Sequence, residues 1–137
     1  MTEESSENAY AVWSPEFSVG VDKVDEQHKK LFAMINTLHT AAIANDSTVD
    51  IERIIEEMAS YVSYHFETEK SLLHHLPEFE AHEREHWDFT KKTLQFASEY
   101  HQQPRKELAH TILDFLIRWL KGHIKAIDIE QFSLSNR

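Results

Sequence analysis

A chain of 137 residues is long enough to bury one hydrophobic core and short for two domains. Its formal charge of −10 repels nucleic-acid phosphates and anionic lipid, and no apolar run approaches the ~20 residues of a bilayer span, so neither partner is expected. The absence of cysteine excludes disulfides, thiolate metal sites, iron–sulfur clusters and cysteine nucleophiles.

Residues 1–9 are polar and acidic and read as a disordered tail. They lack the basic start and apolar centre of a signal peptide, so a soluble cytoplasmic protein is the expectation. Residues 10–137 read as one domain, expected to be monomeric. Only 2 glycines and 3 prolines interrupt the chain, which points to an all-α fold. Residues 10–21 hold Tyr10, Val12, Trp13, Phe17, Val19 and Val21 with Pro15 and Gly20 as breakers, an extended arm with apolar anchors. A first helix is predicted over 22–44, with Val24, Leu31, Ile35, Leu38 and Ala42 on one face. Asn45, Asp46 and Ser47 supply a turn and cap. A second helix runs over 48–74, with Ile51, Ile54, Ile55, Met58, Tyr61, Val62 and Phe66 inward, and Leu76 and Pro77 break it. The third spans 79–101, and the fourth starts near Pro104 and passes Trp119. Short loops between four helices make an up-down-up-down bundle the simplest packing.

Histidines and carboxylates fall at one level of that bundle. With loop centres at about 46, 76 and 103, equal distances from a loop mean equal heights at about 1.5 Å per residue. His28 lies 18 residues before the first centre and His65 lies 19 after it. His65 and Glu69 precede the second centre by 11 and 7, and His82 and His86 follow it by 6 and 10. His86 lies 17 before the third centre and His123 lies 20 after. His65 with Glu69 and His82 with His86 are i,i+4 pairs, each on one helix face. His123 and Asp128 are five apart, about 140° on a regular helix. For both to face one centre the helix must loosen, so a π-like turn or a helix end is predicted between Gly122 and Asp128.

Five histidines and two carboxylates are too many donors for one ion and suit two. Imidazole with carboxylate fits iron, manganese or zinc, and no soft ligand points to copper(I). Five imidazoles, two bridging carboxylates and a bridging hydroxide fill eleven of the twelve positions of two six-coordinate ions. One position stays open for a small molecule. His39 and His110 lie too near other loops to join the layer, and His74, His75 and His101 fall at helix ends.

At these residues the chain resembles the hemerythrins, most closely the stand-alone bacterial hemerythrins. The likeness runs from about Trp13 to Asp128, through Val19-Gly20-Val21, Asp25-Glu-Gln-His28, His65-Phe-Glu-Thr-Glu69, His82-x-x-x-His86 and Trp119-Leu-x-x-His123-Ile with Asp128. It implies a four-helix bundle with a non-haem di-iron centre that binds O2 reversibly for carriage, storage or local delivery, and no enzyme activity. By the same resemblance His82, His86 and His123 hold one iron and His28 and His65 the other. Glu69 and Asp128 bridge, together with a hydroxide or oxo group, and O2 takes the open position. Leu31, Phe66, Trp119, Leu120 and Ile124 lie beside these ligands at helical spacing and would wall a dry O2 pocket. Asp25 and Glu26 are candidates to orient His28. The family often has a second acid after the bridging Glu, where this chain has Lys70.

Other uses of these residues make different demands. His82-Glu-Arg-Glu-His86 matches the H-E-x-x-H zinc hydrolase signature, with Glu83 as general base, but no strand series is present to hold a peptide. Ferritin-like oxidases pair two Glu-x-x-His motifs. Those here, Glu83 to His86 and Glu107 to His110, sit at different heights. An O2- or redox-sensing module, or an iron buffer, would use the same site with a separate protein partner.

Overall fold

The computed structural model describes residues 9–44 and 47–136. The tail expected over 1–9 falls, except for Ala9, outside the described residues, as do Asn45 and Asp46 of the first turn. Four long helices form the body: α1 (Asp22–Ile43), α2 (Thr48–Leu73), α3 (Phe79–Gln102) and α4 (Lys106–His123). After α4 comes a π-helical turn, Ile124–Asp128, and a short helix α5, Ile129–Ser135. α1 packs on α2 and α4, and α3 on α2 and α4, which closes an up-down-up-down ring.

Each helix follows from its apolar stripe. Val24, Leu31, Ile35, Leu38 and Ala42 of α1 are all buried, and so are Ile51, Ile55, Met58 and Val62 of α2. Ile54, Tyr61 and Phe66, expected inward, are partly buried at the edge of the same core. Ser47 caps α2 by accepting from the Asp50 amide at 3.1 Å, an N-cap interaction typically worth about 1 kcal/mol. The fourth helix starts at Lys106 with Arg105 in extended backbone at its N-cap, so Pro104 stands outside it. Proline disfavours a helical residue before it, which ends α3 cleanly.

Two apolar clusters fill the bundle. The larger holds Leu31, Ile35, Met58, Val62, Phe89 and Leu120 among others. The smaller holds Val19, Val24, Leu73, Phe79 and Phe132. Between them, at the height of residues 28, 65–69, 82–86 and 123–128, lies a layer of buried polar side chains.

The N-terminal arm is extended apart from a 3-10 turn at Pro15–Phe17. Asn36 of α1 holds Ala11 in both directions, accepting from its amide at 2.7 Å and donating to its carbonyl at 2.8 Å. Phe17 packs on Phe32 with ring centres 5.5 Å apart. Asp25 accepts from Ser18 Oγ at 2.6 Å and from the Val19 amide at 2.8 Å. Gly20, at φ 81°, makes the turn into α1 in the left-handed region that glycine tolerates. Of the expected anchors, Phe17 and Val19 are buried while Tyr10 and Val12 are exposed. Tyr10 instead stacks on His39, with ring centres 4.4 Å apart.

Candidate metal centre

All seven candidate ligands meet in the polar layer, and none is more than 5 % exposed. α1 supplies His28, α2 His65 and Glu69, α3 His82 and His86, α4 His123, and the π-turn Asp128. The π-turn is what brings Asp128 in. Its i→i+5 pattern stacks residues five apart, so His123 and Asp128 share a face that a regular helix would deny them.

The donors sort into two groups, one of His28, His65 and Glu69, the other of Glu69, His82, His86, His123 and Asp128. Glu69 Oε2 lies 2.9 Å from His65 Nε2 and 3.2 Å from His28 Nε2. Its other oxygen lies 3.1 Å from His86 Nε2 and 3.3 Å from His82 Nε2. Asp128 repeats this: Oδ2 is 3.3 Å from His28 Nε2, while Oδ1 is 3.0 Å from His82 Nε2 and 3.1 Å from His123 Nε2. Each carboxylate thus offers one oxygen to each group. The His82 and His123 Nε2 atoms approach to 3.0 Å, and those of His86 and His123 to 3.2 Å.

These contacts fit ions better than they fit hydrogen bonds. Donors about 2.1 Å from an ion and at right angles stand about 3.0 Å from one another. Glu69 Oε1 and both Asp128 oxygens are buried without a hydrogen-bond partner, although imidazole nitrogens stand 3.0 to 3.3 Å away. The ligand atoms of each group lie within 4.8 Å of one another, close enough to share an ion. Buried carboxylates left so would be costly without cations.

Charge follows the same geometry. Burial disfavours the imidazolium of His28, but Asp128 and Glu69 beside it outweigh this and push the ring up to about 9. His82 is pushed up to about 10 against its own burial by the same two carboxylates. His123 is raised as well, its burial overcome chiefly by the charge of Asp128. Burial and the neighbouring His82 and His123 hold His86 down despite Glu69. Against burial, His65 and the other rings hold Glu69 well below the usual carboxylate range, and His123 with His28 does the same for Asp128. Cations in the layer would displace protons from these rings.

The outer ring nitrogens show what spacing did not reveal. His65 Nδ1 donates to Gln27 Oε1 at 2.6 Å, and Gln27 donates on to Thr68 Oγ1 at 3.2 Å. His82 Nδ1 donates to Gln131 Oε1 at 2.8 Å, and Gln131 donates to the Glu78 carbonyl at 3.2 Å. His123 Nδ1 donates to Glu85 Oε1 at 3.1 Å. These bonds fix the tautomer that leaves Nε2 free to face inward. The expectation for Asp25 and Glu26 fails: Asp25 anchors the arm, Glu26 pairs with Lys29 at 3.2 Å, and His28 Nδ1 has no partner. Asp25 lies on the side of α1 that faces the arm, and Glu26 is exposed.

An apolar cavity of about 10 Å3 borders the layer, room for roughly one water-sized molecule. Leu31, Phe66, Trp119 and Leu120 line it together with Ile35, Met58, Val62, Phe89 and Leu116. Ile124 is buried but lies outside that lining. Phe66 stacks on His86 at 3.6 Å and Trp119 on His123 at 4.3 Å, so the cavity wall is also the ligands' packing. The histidines set aside stay apart from the layer: His101 contacts Glu52 at 3.1 Å and His74 contacts the Lys70 carbonyl at 3.0 Å. Glu83 of the H-E-x-x-H stretch pairs with Lys70 at 3.0 Å on the surface rather than facing His82 and His86 from within.

Fold and site together define a four-helix bundle with a buried histidine–carboxylate cluster able to hold metal. The family model described as the hemerythrin HHE cation binding domain matches residues 19–134, and the chain belongs to the hemerythrin family. It is 33% identical over 125 residues to a bacteriohemerythrin of Clostridium acetobutylicum, covering 87% of this chain and 96% of that protein. A hemerythrin-like protein of Naegleria gruberi is 30% identical over 120 residues, 86% of this chain and 87% of that one. A crystal structure of a mutant hemerythrin superposes with a TM-score of 0.79 at 24% identity, over 94% of this chain and 99% of the other. No helix among the described residues is long and apolar enough to cross a membrane.

Proposed function

We propose that the chain binds O2 reversibly at a centre of two iron ions, for carriage, storage or local delivery, without catalysing a reaction. The observation that carries this is the pair of carboxylates, each with one oxygen toward each histidine group. Such a pair suits two adjacent ions and is wasted on one. His82, His86 and His123 would hold one iron, His28 and His65 the other, and Glu69 and Asp128 would bridge. Bound iron would supply the electrons that let O2 attach and leave again. The histidine pair leaves its ion with fewer protein donors, so a small ligand would bind there.

The chain's own residues account for reversibility. Leu31, Phe66, Trp119 and Leu120 help line an apolar cavity of about 10 Å3 that offers a water no polar partner. Gln27, Gln131 and Glu85 keep three imidazoles in one tautomer and one orientation. Residues 10–137 would act as one domain in a cytoplasmic monomer.

A visible absorption spectrum of ferrous-loaded protein, taken anaerobically, in air and anaerobically again, tests the reading. A charge-transfer band that appears with O2 and disappears on its removal, with two irons per chain, is the expected result. A band that appears once and stays would turn the reading toward an oxidase or a redox sensor. One zinc per chain and no band would sink it.

A further inference from the structure

We infer that Glu85 is a positioning residue whose carboxylate, on the outer nitrogen of His123, makes the three-histidine half of the centre the more electron-rich half. This rests on the assignment of His82, His86 and His123 to one ion.

The three held imidazoles are not held alike. Gln27 and Gln131 are buried neutral amides, on His65 and His82. Glu85 is a carboxylate with a side chain 48% exposed, and it reaches a ring that is 3% exposed. It directly precedes His86 on α3, about 100° round the helix. One turn of α3 therefore sends His86 into the layer and Glu85 sideways to α4. Half-exposure lets the carboxylate stay hydrated, so its charge costs little, while its bond to His123 delivers that charge to a dry site. The two-histidine half has no such charge: His65 has an amide and His28 Nδ1 has nothing. A ring that donates to a carboxylate is a stronger electron donor through its other nitrogen than one that donates to an amide. An ion held by His123 is thereby shifted toward its higher oxidation state.

The test compares wild type with E85Q, E85A and E85D after iron loading, by anaerobic spectroelectrochemical titration. Cobalt(II) loading of the same four proteins, read by ligand-field absorption and stoichiometry, reports the site without any O2 chemistry. E85Q keeps an acceptor and removes the charge. It is expected to disfavour the oxidised form about tenfold, an upward shift of 59 mV for a one-electron couple. E85A should shift at least as far, and E85D should return toward wild type, with cobalt stoichiometry unchanged throughout. An E85Q midpoint equal to that of wild type overturns the inference and leaves the metal-site reading standing. So does a shift in E85A alone, which would make Glu85 an orienting contact without an electrostatic role. Failure of wild type to take up iron or cobalt overturns the reading of the site itself, and this inference with it.

Discussion

Protons would compete with metal ions for the seven side chains of the buried cluster. Without an ion, Glu69 and Asp128 stabilise the charged forms of His28 and His82, whose values rise from 6.5 to about 9 and about 10. A raised histidine contributes stability that is complete below its unfolded value and is lost as pH climbs through its folded one. The metal-free protein should therefore hold the full contribution from these rings below about pH 6.5 and lose it progressively up to about pH 9 for His28 and about pH 10 for His82. At the acid end the depressed Glu69 and Asp128 act oppositely, contributing above their ordinary range and losing the contribution as pH falls. Metal binding needs neutral imidazole and displaces those protons. Anaerobic addition of ferrous or zinc ion at pH 7, in weak buffer with an indicator dye, should release about two protons per chain, and affinity should rise with pH. Uptake with no proton release would mean that the rings are already neutral and that the carboxylates do not hold charge on them.

Helical elements made the layer legible, and cross-chain contacts did not. Predicted helix bounds lie within two residues of those observed, because apolar stripes and short loops determine both. The equal heights of His28, His65, His86 and His123 follow from that frame alone. The i,i+5 spacing of His123 and Asp128 likewise announced the π-turn at Ile124–Asp128. Gln27, Gln131 and Glu85 were illegible, since each meets its histidine 38 to 49 residues away by a rotation about its helix that no period marks. Asp25 misled for the mirror reason: it neighbours His28 in sequence yet lies on the side facing the arm. The π-turn yields an element-scale prediction. Removing exposed Ala126 turns the segment into regular helix with Asp128 four residues after His123, about 40° away, so iron should be retained. Inserting an alanine after Ala126 places them six apart, about 120° round the helix, and iron content should collapse. Equal loss in both variants would show that the π-turn's own geometry, rather than the face it restores, is required.

For the whole bundle, stability and dryness rest on different parts of the structure. The layer's polar groups lie between two apolar clusters, and the arm covers the smaller one through Val19. Leu31 belongs to the larger cluster, lines the cavity and follows His28 by one turn of α1. Asp25 touches neither the cavity nor a ligand, and holds only Ser18 and Val19 of the arm. Asp25→Ala would leave the buried Val19 amide without its acceptor, a loss of about 1–3 kcal/mol. Leu31→Ala would cost about 2–5 kcal/mol by opening a cavity in the core. These ranges overlap, so melting temperatures alone would not separate the two causes. Autoxidation should separate them: widening the apolar cavity whose lining rings stack on His86 and His123 would admit water to the proposed O2 site, whereas loosening the arm leaves that wall intact. Leu31→Ala is expected to shorten the lifetime of the oxygenated form several-fold more than Asp25→Ala, measured as decay of the charge-transfer band in air at a temperature where both stay folded. If the lifetimes instead follow melting temperature, the wall protects O2 only by keeping the bundle closed. If Asp25→Ala decays faster, the route for water runs under the arm, through the cluster of Val19, Val24 and Phe132, and not through the cavity.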